Sequence, residues 1–137
     1  LGVSSLAGVP KPLRSGASSP ERSILQATEE ISSENAEKAI QYMAAKLNHM
    51  AYEEVYANNN EQALVYITKA LSLLPESGDI MDSYGEIYYI MGQKDKAIEY
   101  IEEFNIFFEE VSGVGNLDKY YYEEGNRVFQ ESYGVTT

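Results

Sequence analysis

The sequence predicts an all-α fold of stacked helical hairpins, and three observations predict it. The first is a repeat of 34 residues. Leu47 lines up with Met81, Met50-Ala51 with Tyr84-Gly85, Gln62-Ala63-Leu64 with Lys96-Ala97-Ile98, and Ile67 with Ile101. The second is that apolar residues recur at three- and four-residue steps along most of the chain, the period of a helix with one buried face. The third is that no segment alternates with period two, so no sheet is expected. A 34-residue period mixing small and large apolar positions suits a helix–turn–helix unit that stacks on its own copy. Such units build a surface that binds and rarely carry chemistry.

Residues 1–19 are rich in Gly, Ser and Pro and have no helical period. They read as a basic tail or linker, or as the remnant of a Ser-rich, acid-poor targeting segment; residues 20–137 are then the helical domain. Leu1 in place of Met is expected of a processed form or of a piece of a longer protein. Ser19-Pro20-Glu21 suits a helix start, with a capping hydroxyl, a first-turn proline and an acid at the positive end. Ile24, Leu25, Thr28 and Ile31 form its stripe as far as Ser32-Ser33. Ser33 is expected to cap a second, longer helix reaching about Ala57, with Ala36, Ile40, Met43, Leu47, Met50 and Ala51 as its face.

Asn58-Asn59-Asn60 is a turn, with Asn60 as the next cap. The following helix should bury Ala63, Leu64, Ile67, Ala70, Leu71 and Leu74 and stop at Pro75. Ser77-Gly78-Asp79 opens a helix with Ile80, Met81, Tyr84, Ile87, Tyr88 and Met91 on its face, ended by Gly92 in a left-handed cap. Asp95 begins the next, carrying Ala97, Ile98, Ile101, Phe104, Ile106, Phe107 and Phe108. After the break at Ser112–Asn116, Leu117, Tyr121, Gly125, Val128 and Tyr133 outline a last helix. Gly125 within it costs about 1 kcal/mol against Ala.

Composition narrows the function classes. Hydrophobic content of 44% and charged content of 23% are those of an ordinary soluble globular domain. There is no cysteine, so disulfides and thiolate metal sites are excluded. No apolar run approaches 18 residues, so no membrane span is predicted. The formal charge is −12. Residues 1–20 hold Lys11 and Arg14 and no acid, whereas residues 21–137 hold all 22 acids. Nucleic acid is therefore not an expected partner for the body of the chain; basic or apolar peptides are. His49, the single histidine, has no partner motif and falls on the polar side of its helix, so no catalytic or metal role is expected for it. No phosphate loop, nucleophile elbow or zinc spacing is present. No cofactor and no enzyme activity are expected.

The repeat resembles the tetratricopeptide repeat family over about half the chain, with copies at about 44–77 and 78–111. Met81, Tyr84-Gly85 and Tyr88 match the family's pattern on the first helix of a pair. Ala63, Ile67, Ala70 and Pro75 match it on the second. Small residues at Ala51, Ala63, Ala70, Gly85 and Ala97 let paired helices approach, and large neighbours fill the gaps. Glu54 departs from the pattern where an aromatic is usual, as do Phe104 and Glu109 where a small residue and the closing proline are. The last two suggest that the array ends there. The resemblance implies a right-handed α-α superhelix of hairpins with a flanking N-terminal helix and a C-terminal capping helix. It also implies a protein–protein interaction scaffold, binding through the concave face lined by the first helix of each pair.

By that resemblance the concave face carries Asn48, Tyr52, Val55 and Tyr56 from one copy and Asp79, Asp82, Glu86, Tyr89 and Ile90 from the next. Helical geometry independently sets Asp79, Asp82 and Glu86 on one face. These carboxylates are either a solvated surface or an acidic, Tyr-lined groove for a basic or aromatic-rich peptide. Calcium is not expected, because the spacing lacks loop carbonyls. Acidic chaperone tails are not expected either: Asn48 fits one position of a carboxylate clamp, but Asp82 and Glu86 repel a carboxylate. Three consecutive tyrosines cannot all face inward, so Tyr120 and Tyr122 are candidates for an interface, including that of a homodimer. The basic tail is a candidate occupant of the acidic face, in cis or on a neighbouring copy. The alternative function is that of an accessory or oligomerisation domain of a larger enzyme whose chemistry lies outside this chain. Asp82-Ser83-Tyr84-Gly85-Glu86 is similar to repeats appended to bacterial enzymes.

Overall fold

The structure is a computed structural model and describes residues 19–111 and 115–135. Every element among them is an α-helix: α1 Ser19–Tyr56, α2 Asn60–Leu73, α3 Gly78–Ile90, α4 Lys94–Glu110 and α5 Asn116–Tyr133. The all-α expectation holds for these residues. No helix among them is long and apolar enough to cross a membrane. The tail, apart from Ser19, lies outside the described residues, as do 112–114 of the break before α5.

The chain divides into two compact units, Leu1–Lys38 and Ala39–Thr137. The described part of the first is helical throughout, with exposed side chains from Ser32 to Lys38 and a surface Glu34–Lys38 pair at 3.4 Å. The expected helix boundary at Ser32-Ser33 is absent, because α1 runs unbroken through it. Neither Gly nor Pro stands there, and a serine costs a helix only about 0.5 kcal/mol against Ala. Ser33 is therefore a mid-helix residue and not a cap.

In the second unit the core is assembled in three patches. Ala44, Ala51 and Val55 of α1 pack with Ala63, Ile67 and Ala70 of α2 and with Ile80 and Ile87 of α3. Alanines at these contacts let the backbones close up, and the isoleucines fill what remains. Ile40 and Met43, expected in the buried face of α1, remain 38% and 50% exposed. The second patch joins Met81, Phe108 and Tyr122, and the third Ile101, Phe129 and Val135. An aromatic layer links α3 to α4, with Tyr84 edge-on to Tyr100 at 4.9 Å and Tyr88 stacked on Tyr100 at 5.0 Å.

Ser77 and Gly92 act at the turns as predicted, whereas Asn60 does not and the helix expected from Asp95 begins at Lys94. Ser77 caps α3 by accepting from the Ile80 amide at 3.3 Å. Gly92 and Gly134 end α3 and α5 with φ of +87° and +68°. Asn60 does not cap α2. The cap position is Asn59, whose amide donates instead to Glu54 Oε1 at 2.8 Å. Glu54 thus ties down the turn after α1.

The largest correction concerns α5. Of the expected face Leu117, Tyr121, Gly125, Val128 and Tyr133, only Tyr133 packs against the core, whereas Leu117, Tyr121 and Val128 are 62%, 49% and 51% exposed. The helix is rotated by about one residue and buries Tyr122, Asn126 and Phe129. Two aromatic rings bury more apolar area than a leucine and a valine, and burial follows area. Tyr122 also donates its hydroxyl to the Ile101 carbonyl at 2.7 Å, so its polar end is satisfied inside.

Candidate functional site

The candidate surface is carried by α1, α3 and α5. The 34-residue step appears as a contact: Tyr52 of α1 donates its hydroxyl to Glu86 Oε1 of α3 at 2.5 Å. One helical turn back on both helices, the same sequence step relates Asn48 to Asp82. α5 also approaches α3 closely at Asp82. A Cβ on Gly125 would stand 2.3 Å from Asp82 Oδ2, and one on Gly78 would stand 1.7 Å from the Asp118 carbonyl oxygen. Glycine at both positions is thus a condition of this approach.

These contacts divide the predicted site residues. Asn48, Tyr52, Asp82, Glu86 and Tyr89 are half-buried, and Tyr56 and Asp79 are exposed. Tyr56 lies against Tyr52, with ring centroids 6.3 Å apart. Val55 is 3% exposed and belongs to the core, so its assignment to a binding face is corrected. Tyr89 is covered by α5, its ring 5.3 Å from that of Phe129 and 4.7 Å from that of Tyr133, with its hydroxyl 3.4 Å from the Tyr133 carbonyl. Of the two interface candidates, Tyr120 is 54% exposed but Tyr122 only 1%. The exposed neighbour is Tyr121. The triple had signalled that some rings must face out, and the phase of α5 decides which. His49 is exposed and sits 3.3 Å from Glu53.

Carboxylates dominate the electrostatics around the Tyr52–Glu86 contact. Burial first, then the negative charges of Glu86 and Asp79, push the Asp82 carboxyl up to about 8. Burial and then the charge of Glu86 drive the Tyr52 phenol far above its ordinary range, which keeps it a donor. Burial and Glu86 act on Tyr133 in the same direction. The side-chain oxygens of Asn48 and Asn126 are buried without a hydrogen-bond partner among the described residues.

Where the three helices leave space, at the N-terminal ends of α3 and α5, a cleft of about 590 Å³ opens. Glu76, Asp79 and Asp118 line it together with Gln41, Ser77, Tyr121 and the Leu74-Pro75 turn, and among the described residues no Lys or Arg does. Glu76, Asp118 and Tyr121 are residues that the sequence did not single out for this site. They come from a loop and from α5, at distances along the chain that no local period reports. The arrangement can hold a cation by charge and hydrogen bonding. Among the described residues no group of three or more His, Asp or Glu side chains is placed to hold a metal ion. No protein-family model, curated protein or solved structure matches the chain.

Proposed function

We propose that this chain is a non-catalytic protein–protein interaction module of the tetratricopeptide-repeat kind, a right-handed superhelix of helical hairpins, and that it binds a basic segment of a partner protein. The 34-residue sequence period, the small residues where helices meet and the Tyr52–Glu86 contact support the repeat reading. The observation that carries the function is the cleft at the ends of α3 and α5, with three carboxylates and, among the described residues, no Lys or Arg. In a protein of charge −12 it attracts a cationic segment at long range and accepts its hydrogen bonds at short range. Binding therefore centres on Asp79 and Asp118, nearer the helix N-termini than the middle of the face.

Fluorescence anisotropy with a labelled Lys/Arg-rich peptide tests this. Asp79→Lys combined with Asp118→Lys should weaken binding at least tenfold, with an unchanged circular dichroism spectrum. Binding that is indifferent to the double reversal would remove the cleft from the reading.

One observation favours the second reading, that of an accessory or oligomerisation domain. Phe129 and Tyr133 of α5 cover Tyr89, so the chain itself fills one edge of the face. A stable homodimer in sedimentation, with no affinity for basic peptides, would decide for that reading.

A further inference from the structure

The stripe on α5 that the helix fails to bury has a consequence for the partner. Leu117, Tyr121 and Val128 stand four and seven residues apart, so they share one face of the helix. Single exposed apolar side chains are normal on any protein. Here three stand in line, each about half exposed or more. The middle one, Tyr121, lines the cleft beside Asp79 and Asp118. From the cleft, Leu117 and Tyr121 and then, two turns further along α5 past the Glu124–Arg127 pair, Val128 present apolar side chains as an interrupted wall over about 16 Å at 1.5 Å per residue.

We infer that the partner segment is an amphipathic α-helix of about three turns, its apolar face on Leu117, Tyr121 and Val128 and its basic face toward Glu76, Asp79 and Asp118. The inference rests on the proposed reading of the cleft as a site for a basic segment. Charge complementarity sets the sign of the partner. The wall sets its second property, since a purely basic strand would leave the three apolar side chains in water. The hydrogen-bonding capacity of the cleft sets its conformation. The three carboxylates only accept, and the donors beside them are the side chains of Gln41, Ser77 and Tyr121 at scattered positions, not a strand edge that would pair with an extended backbone. A helix satisfies its own backbone and presents side chains alone. Its anchors at three- and four-residue steps would interdigitate with the ridge on α5.

The experiment uses the full chain and three labelled 18-residue probes. One is a Leu/Lys peptide patterned as an amphipathic helix, one a scramble of the same composition with no helical face, and one a Lys/Gly peptide. The patterned peptide should bind at least tenfold more tightly than the scramble. Val128→Asp should reduce its binding about tenfold while leaving the Lys/Gly peptide unaffected; Val128 is exposed, so the melting temperature is the control for folding. If scramble and patterned peptide bind equally, or Val128→Asp changes nothing, the helical partner is refuted while the basic-segment reading stands. If no probe binds even at low salt, both fall. If sedimentation shows a dimer that Val128→Asp dissociates, the wall belongs to a second copy of this chain, and the inference is overturned.

Discussion

Gly125 and Asp82 form the tightest side-chain fit between α5 and α3, and their coupling is measurable. In a free helix, replacing glycine with alanine stabilises by about 1 kcal/mol. At Gly125 the new Cβ would lie 2.3 Å from one Asp82 oxygen and 2.5 Å from its Cγ, and the carboxyl is hemmed in by its own burial. Gly125→Ala should therefore destabilise the fold by about 1–3 kcal/mol, as overpacking does. In an Asp82→Ala background the same change should become neutral or stabilising. Denaturant melts of the four proteins of this cycle read the sign reversal, and additive effects would show that the two residues do not meet.

The same carboxyl predicts a pH dependence. Asp82 is raised from its ordinary value of 3.8 to about 8, so the folded chain holds a proton that the unfolded chain gives up near 4. Its contribution is fully present below about pH 4, declines as pH rises toward 8 and is gone above it. Since other carboxylates also titrate, the quantity to measure is the difference between wild type and Asp82→Asn. Wild type should lose stability relative to the variant between about pH 4 and 8; parallel curves would leave Asp82 ionised throughout.

At the scale of elements, α2 and α3 were legible in the sequence almost entire. Pro75 stops one, Ser77 caps the other, Gly92 ends it, and the alanines of the 34-residue period are the ones that are buried. These signals act within a few residues of where they stand. The phase of α5 and the join in α1 were not legible, for different reasons. A count of apolar positions weighs Leu117 and Val128 like Tyr122 and Phe129, whereas the neighbouring helices reward ring area and a hydroxyl that reaches the Ile101 carbonyl. In α1, a serine pair imitates a cap only if the preceding helix ends, and nothing ends it. The spacing of Asp79, Asp82 and Glu86 did place them on one face, but their different exposure comes from Tyr52 and Gly125, remote in sequence. The α1 assignment has its own test. Ser33→Ala removes a capping hydroxyl at a cost of about 1 kcal/mol if Ser33 begins a helix, and gains about 0.5 kcal/mol if it lies inside one. Helicity at 222 nm should rise slightly on the substitution, and a fall would restore the two-helix reading.

At the scale of the whole molecule, charge decides how the exposed face is used. A net charge of −12 on 137 residues repels a second copy at every approach. The same field draws in a basic partner. Salt weakens both effects, since at 0.1 M the screening length is about 10 Å, but it moves the two associations in opposite directions. Self-association through Leu117, Tyr121 and Val128 would bury apolar area against like-charge repulsion, so salt should strengthen it. Capture of a basic segment by Glu76, Asp79 and Asp118 gains from attraction, so salt should weaken it. Sedimentation and peptide anisotropy between about 0.05 and 0.5 M NaCl therefore separate the readings without any substitution. The expected result is a monomer at low salt whose affinity for the patterned Leu/Lys peptide falls as salt rises, with a residual affinity carried by the apolar wall. A dimer that grows with salt would assign the wall to a second copy. Peptide affinity independent of salt would take the carboxylates out of the binding site.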